Sequence, residues 1–247
     1  MILSVSRRTD IPWFYSQWFY ERVSEGYVLV RNPFYARQVS RVPIRPDVVD
    51  CMVFWTKNPI PMMDELEILE PYPYYFQFTL TGYGRDVEPR LPDKRKVLIP
   101  AFQKLAKKLG PDRMVWRYDP VFINSRYTVS YHLKAFGEIA RALEGCTDQV
   151  VISFLDFYRG MEKSMGELGA ALPGRTEMGE LAGEMSRMAA EAGMRTASCA
   201  EAFDLSAWGV HKGACIDRER ISRILGCEIK GKKDPGQRTE CGCMESI

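Results

Sequence analysis

Cysteine is the residue type whose placement in this sequence first suggests chemistry. Five of the seven cysteines fall in the last 49 residues, and the final two form a Cys-Gly-Cys. Thiolates in such numbers bind zinc or iron–sulfur clusters, and four are enough for either centre. The candidate metal ligands are Cys199, Cys215, Cys241 and Cys243. Their spacing is irregular, without a C-x₂-C pair, so unrelated free thiols are the alternative.

The remaining cysteines and the two histidines offer less chemistry. Cys227 follows a glycine in an apolar stretch, which predicts a small buried residue, and we expect Cys51 and Cys146 to have packing roles as well. With only His132 and His211 present, a multi-histidine metal site or a Ser-His-Asp triad is disfavoured. We expect a structural role for His132. His211 lies in the cysteine-bearing segment, where it is a weaker candidate for a metal ligand.

Arginines and aromatic residues are concentrated at the start of the chain. Guanidinium groups suit bidentate binding of phosphate or carboxylate, and aromatic rings suit stacking on a base or another ring. Arg7, Arg8 and Arg31 are therefore candidate anion ligands. The alternative is that the aromatic residues between 13 and 20 pack a helix against a sheet while the arginines pair with carboxylates.

Two segments place charged residues directly after apolar runs. Lys57 follows Trp55-Thr56, where a lysine could bind an anion or act as a base if burial lowered its pKa. Arg117 and Asp119 stand at i and i+2, on one side of an extended segment, where they form an ion pair or hold a substrate. We predict these three residues as catalytic. Five further polar residues near strand ends are predicted to bind substrate: Asp10, Asn58, Thr79, Asp156 and Glu201.

The apolar pattern predicts the elements that must position these side chains. Short β-rich runs are predicted as buried strands at 2–5, 27–30, 51–55, 74–80, 114–116, 150–154 and 194–198. Helical spacing lies between most of them, at 13–24, 62–70, 93–109, 130–143 and 177–192. Apolar strands that alternate with helices indicate a parallel sheet with crossover helices, which means a barrel or an open doubly wound sheet.

We favour a TIM-type (β/α) barrel, complete or incomplete, because the sequence lacks the Gly-rich loops that mark nucleotide-binding open sheets. The barrel is predicted to span residues 1–230. The polar, turn-rich residues after Gly231 are predicted to form a tail, 231–247, that packs on the barrel and delivers Cys241 and Cys243. In such barrels the carboxyl ends of the strands carry the chemistry.

Composition limits the classes of partner. A formal net charge of +2 gives no global electrostatic case for nucleic acid or a membrane surface. No apolar run approaches the roughly 18 residues that a membrane span needs, and the first residues do not resemble a signal peptide. We therefore expect a cytoplasmic protein that takes a small anionic substrate.

Several long motifs carry a resemblance to a known family. They are SVSRRTDIP, GYVLVRNPF, VFWTKNP, YYFQFTLTGYG, WRYDP and CGCMESI, spread from end to end of the chain. They resemble the prokaryotic family known as domain of unknown function 1848. The resemblance implies a barrel similar to radical S-adenosylmethionine enzymes, whose C-terminal cysteine-rich segment is similar to an iron–sulfur motif. It thus implies a 4Fe–4S cluster and S-adenosylmethionine as cofactors.

Two functional hypotheses follow from the sequence. The first is an enzyme that resembles radical S-adenosylmethionine proteins and binds a cluster, or another metal, through its C-terminal cysteines. The second is a non-catalytic or zinc-stabilised module whose arginines and aromatic residues bind a phosphorylated ligand or nucleic acid.

Overall fold

The main element of the fold is a seven-stranded parallel sheet whose strand order follows the chain. The computed structural model describes residues 1–247 except residues 7, 33, 36, 157–159 and 161 and the side chain of residue 164. The strands of the sheet, in spatial order, are β1 (Ile2–Val5), β4 (Cys51–Thr56), β5 (Tyr74–Thr79), β6 (Met114–Val121), β7 (Gln149–Phe154), β8 (Arg195–Ser198) and β9 (Val210–Lys212).

A separate antiparallel ribbon is inserted between the first two strands of the sheet. It consists of β2 (Tyr27–Arg31) and β3 (Val39–Pro43), with Tyr27 opposite Pro43 and Arg31 opposite Val39. The run predicted at 27–30 is therefore a strand, but it pairs with β3 and does not join the parallel sheet.

The described part of the chain contains eight α-helices, of which α1 to α7 lie between strands and α8 follows β9. Their bounds are α1 (Ile11–Phe14), α2 (Ser16–Glu25), α3 (Ile60–Met63), α4 (Ile99–Leu109), α5 (Val129–Ala142), α6 (Glu162–Leu168), α7 (Arg175–Glu191) and α8 (Arg218–Leu225). A π-helical turn at Lys94–Leu98 precedes α4, and 3₁₀ turns lie at Leu66–Leu69, Pro111–Arg113 and Ser206–Trp208. Asp10 and Thr128 cap the first turns of α1 and α5 with their side chains, as their sequence positions predict.

Different parts of the chain pack on the two faces of the sheet and cover them. Alternate strand residues such as Phe54, Phe76 and Trp116 pack in one core cluster with the connecting helices, from α1 to α5 and α7. The intervening residues, Val53 and Tyr75 among them, face a second cluster that the segment from 215 to 244 and helix α8 complete. Burial on both faces explains why the strands are continuously apolar in sequence.

The prediction of a TIM-type barrel is wrong, because the sheet is open between β9 and β1. One reason is that β2 is paired within the ribbon. A second is that the outer edge of β1 is occupied by the last residue: Ile247 donates to the carbonyl of Ile2 and accepts from the amide of Ser4, at 3.0 and 2.7 Å. No strand can then pair with that edge of β1.

The C-terminal segment covers the second face of the sheet. Cys241, Cys243 and Met244 are buried there, and an isolated antiparallel bridge joins Lys233 to Met244. The domain boundary at residue 230 stays a prediction. None of the helices in the described part of the chain is long and apolar enough to cross a membrane.

Candidate functional site

The four cysteines predicted as metal ligands lie together on the second face of the sheet. Cys199 follows β8, Cys215 follows β9, and Cys241 and Cys243 belong to the C-terminal segment. The sulfur atoms of Cys199 and Cys215 form a hydrogen bond at 3.3 Å, and Sγ of Cys243 accepts from the backbone amide of Cys215 at 3.2 Å. The strand ends and the tail thus bring the four cysteines to the wall of one cavity.

Three N–H groups point at two of these sulfur atoms. Arg117 donates from Nη1 to Sγ of Cys215 at 2.8 Å. The backbone amides of Cys215 and Ile216 donate to Sγ of Cys243, at 3.2 and 3.4 Å. Such donors favour the thiolate form of cysteine and tune metal centres through their sulfur ligands.

The protonation of the thiols depends on these contacts. The hydrogen bond with Cys215 lowers the pKa of Cys243, against the effect of burial. For Cys215, the hydrogen bond with Cys199 lowers the pKa, but the bond with Cys243 and burial together raise it to about 11. The hydrogen bond with Cys215, followed by burial, raises the pKa of Cys199 far above its usual range. The thiol of Cys243 therefore ionises at lower pH than those of Cys199 and Cys215.

Buried polar residues of β5 and β6 hold the loop that contains Cys215. The carbonyl oxygen of Cys215 accepts from the Tyr75 hydroxyl at 2.5 Å and from Nε2 of Gln77 at 2.9 Å. Gln77 in turn accepts from Nη1 of Arg117 at 3.2 Å, and Arg117 forms a bidentate ion pair with Asp119. Burial lowers the pKa of Arg117, but Asp119 and the nearby thiols raise it by more. The pKa of Arg117 therefore lies well above its ordinary value.

A cavity of about 330 Å³ opens beside the cysteines. The four cysteines form part of its wall, together with Trp55, Asp119, Ser153, Asp156 and Arg238. Arg238 and Asp156 form an ion pair across it. The site therefore combines sulfur ligands with charged groups at the carboxyl ends of β6 and β7.

Glu201 directly follows Ala200, which lines this cavity, and is half-buried. Burial, reinforced by the negative charge of Asp156, raises the pKa of Glu201 to about 7. A carboxyl group with such a pKa can hold or release a proton near neutrality.

The predicted residues Lys57, Asp10 and Asn58 belong to other networks. Lys57 Nζ donates to Glu88 at 2.5 Å, and Glu88 also pairs with Lys94. Asp10 accepts from the backbone amide of Lys57 at 2.7 Å as well as capping α1. Asn58 is buried and accepts from the amide of Ile60 at the start of α3, at 3.2 Å. These contacts hold local structure in the loops after β4 and β5.

The remaining predicted anion ligands are dispersed. Arg8 is exposed and lines an apolar groove beside β1, while Arg31 is exposed on the ribbon. Thr79 ends β5, opposite Arg117, and is half-buried. Arg7 lies outside the described residues. The structure thus brings the cysteines, Arg117, Asp119, Asp156 and Glu201 together, but does not place Lys57, Arg8 or Arg31 among the residues lining their cavity.

The thiols do not form a ready-made metal site. Over the described ranges, no group of three or more His, Cys, Asp or Glu side chains is placed around one point. A metal ion would therefore replace the S–H···S hydrogen bonds, and the four side chains would turn towards it.

Sequence reasoning missed Tyr75, Gln77 and Arg238, which hold or line the site. The first two alternate along β5 with Tyr74, Phe76 and Phe78, so period-two spacing could have placed them on the face opposite the helices. No signal in the sequence marks Arg238, which reaches Asp156 from a polar loop. The prediction that Cys227 is buried is also wrong, since it is exposed just after α8.

Comparison with known proteins places the whole chain in one family. No match is found among the curated proteins or among the solved structures. The family model described as "Domain of unknown function (DUF1848)" matches residues 2–247, the range that contains every element and every site residue described above. The chain therefore belongs to the DUF1848 family.

Proposed function

We propose that this chain binds an iron–sulfur cluster through Cys199, Cys215, Cys241 and Cys243 and uses it on a small molecule held in the neighbouring cavity. The observation that carries the proposal is the set of four cysteines around one cavity, two of whose thiols receive N–H donors from Arg117 and from the backbone. Hydrogen bonds to sulfur are a recurrent means of tuning the reduction potential of a cluster.

The chemistry of the donor set supports a metal in two ways. Sulfur ligands select iron–sulfur clusters, zinc or copper over hard cations. The buried Arg117 guanidinium supplies positive charge beside Cys215, which offsets part of the charge of several thiolates.

One distance favours zinc as a second candidate. The sulfur atoms of Cys199 and Cys215 are 3.3 Å apart. Two thiolates on one tetrahedral zinc ion, with Zn–S bonds of about 2.3 Å, are about 3.8 Å apart. A single zinc ion thus requires a smaller movement of these two side chains than a cluster does, and would make the site structural.

The cavity supports an enzymatic role for a cluster-bound form. Asp119, Asp156 and Arg238 offer charges of both signs at its wall. Such a wall suits a small molecule with anionic and cationic groups, and S-adenosylmethionine, which the resemblance to radical S-adenosylmethionine enzymes implies, has both a carboxylate and a sulfonium. A cluster held by three of these cysteines, with one iron free of cysteine, would pass an electron from an external reductant to that sulfonium and cleave one of its carbon–sulfur bonds, and the chain's own residues would hold the molecule.

The test is metal and sulfide analysis, with a visible absorption spectrum, on protein purified without oxygen. Alanine variants of Cys199, Cys215 and Cys243 are compared with Cys227→Ala, which removes an exposed cysteine outside the site. We expect iron and sulfide in the parent and in the Cys227 variant, and loss of both in the three site variants. Zinc in the parent and the Cys227 variant, with none in the site variants, would establish a zinc site instead. If iron and sulfide are found, reductive cleavage of S-adenosylmethionine is assayed on that protein. Protein without either metal, or equal loading of every variant, would contradict the proposal.

A further inference from the structure

The antiparallel ribbon presents one of its faces to solvent. Leu29 pairs with Arg41 and Arg31 pairs with Val39, so these four side chains lie on the same face. Leu29 is 59% and Val39 50% exposed, and both arginines are exposed as well. The opposite face carries Val42, which is buried in the helix-side core. The ribbon is thus anchored on one side and free on the other.

The charge of this ribbon has a single sign. Residues 26–46 contain four arginines, Arg31, Arg37, Arg41 and Arg45, and no aspartate or glutamate. The chain has no lysine before Lys57, so all cationic side chains of this region are arginines. Arginine favours phosphate because its planar fork donates two parallel hydrogen bonds and its face stacks on rings.

Most of these cations are available to a ligand. Arg45 pairs with Asp47 at 3.1 Å, but Arg31, Arg37 and Arg41 have no acidic partner within the described part of the chain. The guanidinium of Arg41 lies over the Tyr27 ring, 4.0 Å from its centroid. Stacking on Tyr27 orients this guanidinium without neutralising it.

Two aromatic side chains project from the connection between the strands. Phe34 is 88% and Tyr35 70% exposed. Their backbone amides both donate to Oδ1 of Asn32, at 2.9 and 3.3 Å, and Asn32 also donates to the Gln38 side chain at 2.8 Å. These hydrogen bonds hold the backbone of Phe34 and Tyr35. Fixing the two residues on binding therefore costs less conformational entropy than it would in a free loop.

From this combination we infer that the ribbon binds single-stranded nucleic acid. Arg31, Arg37 and Arg41 contact successive phosphates, and Phe34 and Tyr35 stack on unpaired bases. Alternating arginine and aromatic contacts without a base-reading network give binding that tolerates sequence and depends strongly on salt. An acidic protein segment would use the arginines but leave the two exposed rings without planar partners, which is why nucleic acid fits better.

The experiment measures fluorescence anisotropy of labelled oligo(dT) and oligo(U) of about 12 nucleotides with the full chain. Titrations between about 50 and 200 mM salt give the slope of log affinity against log salt. We expect a slope of about −2 for three phosphate contacts, from about −0.7 for each contact on a single strand. Photo-crosslinking of the unmodified protein to a 4-thiouridine oligonucleotide is expected to label residues between 27 and 41.

Variants separate the two kinds of contact. Arg31→Gln and Arg41→Gln should each reduce the salt slope by about 0.7, whereas Phe34→Ala should weaken binding about 5- to 150-fold at unchanged slope. The matched control is Arg90→Gln, which removes an exposed arginine outside the ribbon and should leave the slope unchanged. Circular dichroism confirms that each variant is folded.

Four results would overturn the inference: no binding at the lowest salt, equal loss in the Arg90 variant, crosslinks outside the ribbon, or binding to anionic lipid vesicles but not to oligonucleotides. Self-association that the Phe34 variant abolishes, again without oligonucleotide binding, would assign the ribbon to contacts between copies of the chain. Each of these readouts is independent of metal content, so the failure of the metal-site proposal leaves this test unaffected.

Discussion

At the scale of single residues, the most consequential contact is the buried ion pair of Arg117 and Asp119. Their side chains are 8% and 13% exposed. Replacing one partner of such a pair leaves the other charge without compensation in a poorly solvated place. The pair therefore constrains the site chemically and also limits which substitutions the fold tolerates.

We predict that Asp119→Ala lowers the free energy of unfolding by about 3 kcal/mol, because Arg117 stays buried and charged. Chemical denaturation of the variant and parent measures the difference. The double variant Arg117→Met/Asp119→Leu should recover part of the loss, since it removes both charges. Glu184→Ala, which breaks an exposed pair with Arg187, should change stability little. Equal effects of Asp119→Ala and Glu184→Ala would show that the buried pair has no special role.

Glu201 gives the site a dependence on pH. Burial and Asp156 raise its pKa to about 7 in the folded chain, against an ordinary value of 4.5. Since the folded state binds the extra proton, Glu201 destabilises the fold progressively as pH rises from about 4.5 to 7. We predict that Glu201→Gln is more stable than the parent at pH 8 and that the difference shrinks towards pH 4. Thermal unfolding of both proteins across this range measures it, and a pH-independent difference would contradict the elevated pKa.

At the scale of elements, helix α7 packs against the 3₁₀ turn at Ser206–Trp208 through glycine. A Cβ at Gly179 would lie 2.7 Å from the Trp208 ring, and one at Gly183 would lie 3.2 Å from it. Glycine lowers helix stability, so its presence at both positions is explained by this close approach of the indole. The contact fixes the turn that leads into β9.

We predict that Gly179→Ala destabilises the protein by about 1 to 2 kcal/mol, because the clash with Trp208 outweighs a gain in helix propensity of about 1 kcal/mol. The control is Gly166→Ala in α6, where an added Cβ meets no atom of the described residues within 4 Å. This control should be neutral or stabilising by up to about 1 kcal/mol. Denaturant midpoints of both variants test the prediction, and stabilisation by Gly179→Ala would contradict the packing described here.

The sequence predicted the positions of most strands of the sheet, but it did not predict that the sheet stays open. Continuous apolar runs located β1, β4, β5, β7 and β8 to within about two residues, because burial on both faces leaves a strong signal. Strand β3, with its exposed Ser40 and Arg41, and the three-residue β9 carry no such signal. Barrel closure could not be inferred from local pattern, since it depends on β2 pairing in the ribbon and on Ile247 occupying the edge of β1.

The residues of the candidate site were likewise predicted only in part. Residue type together with position along the chain selected the four cysteines, Arg117 and Asp119, and these do lie together. Type alone could not separate Lys57 from them, because its partner Glu88 is 31 residues away and comes close only in the fold. Local signals thus predict which groups can do chemistry, whereas tertiary contacts decide which of them share a site.

At the scale of the whole molecule, the sheet couples two cores that are built from different parts of the chain. Met185 of α7 is fully buried on one face, and Ile221 of α8 is fully buried on the other. Strands β1, β4, β5, β6 and β7 contribute side chains to both cores in alternation, so loss of either cover exposes the same strands. We therefore expect the molecule to unfold as one cooperative unit.

We predict that Met185→Ala and Ile221→Ala each lower stability by about 2 to 5 kcal/mol and leave a single unfolding transition. Calorimetry, together with fluorescence and circular dichroism, checks whether one transition is seen by every probe. A separate early transition in Ile221→Ala alone would show that the C-terminal cover unfolds independently of the sheet.

The origin of all four thiols in residues 199–243 has a consequence for the order of events during synthesis. When Ser198 has been made, β1 to β8 and helices α1 to α7 already exist as chain, but only the helix-covered face has its partners. At about 5 to 20 residues per second, the ribosome needs roughly 2 to 9 s more to reach Cys243. For those seconds the other face of the sheet is bare and no complete thiol set exists, so a metal centre could assemble only after β1 to β8 and the helices between them have been made.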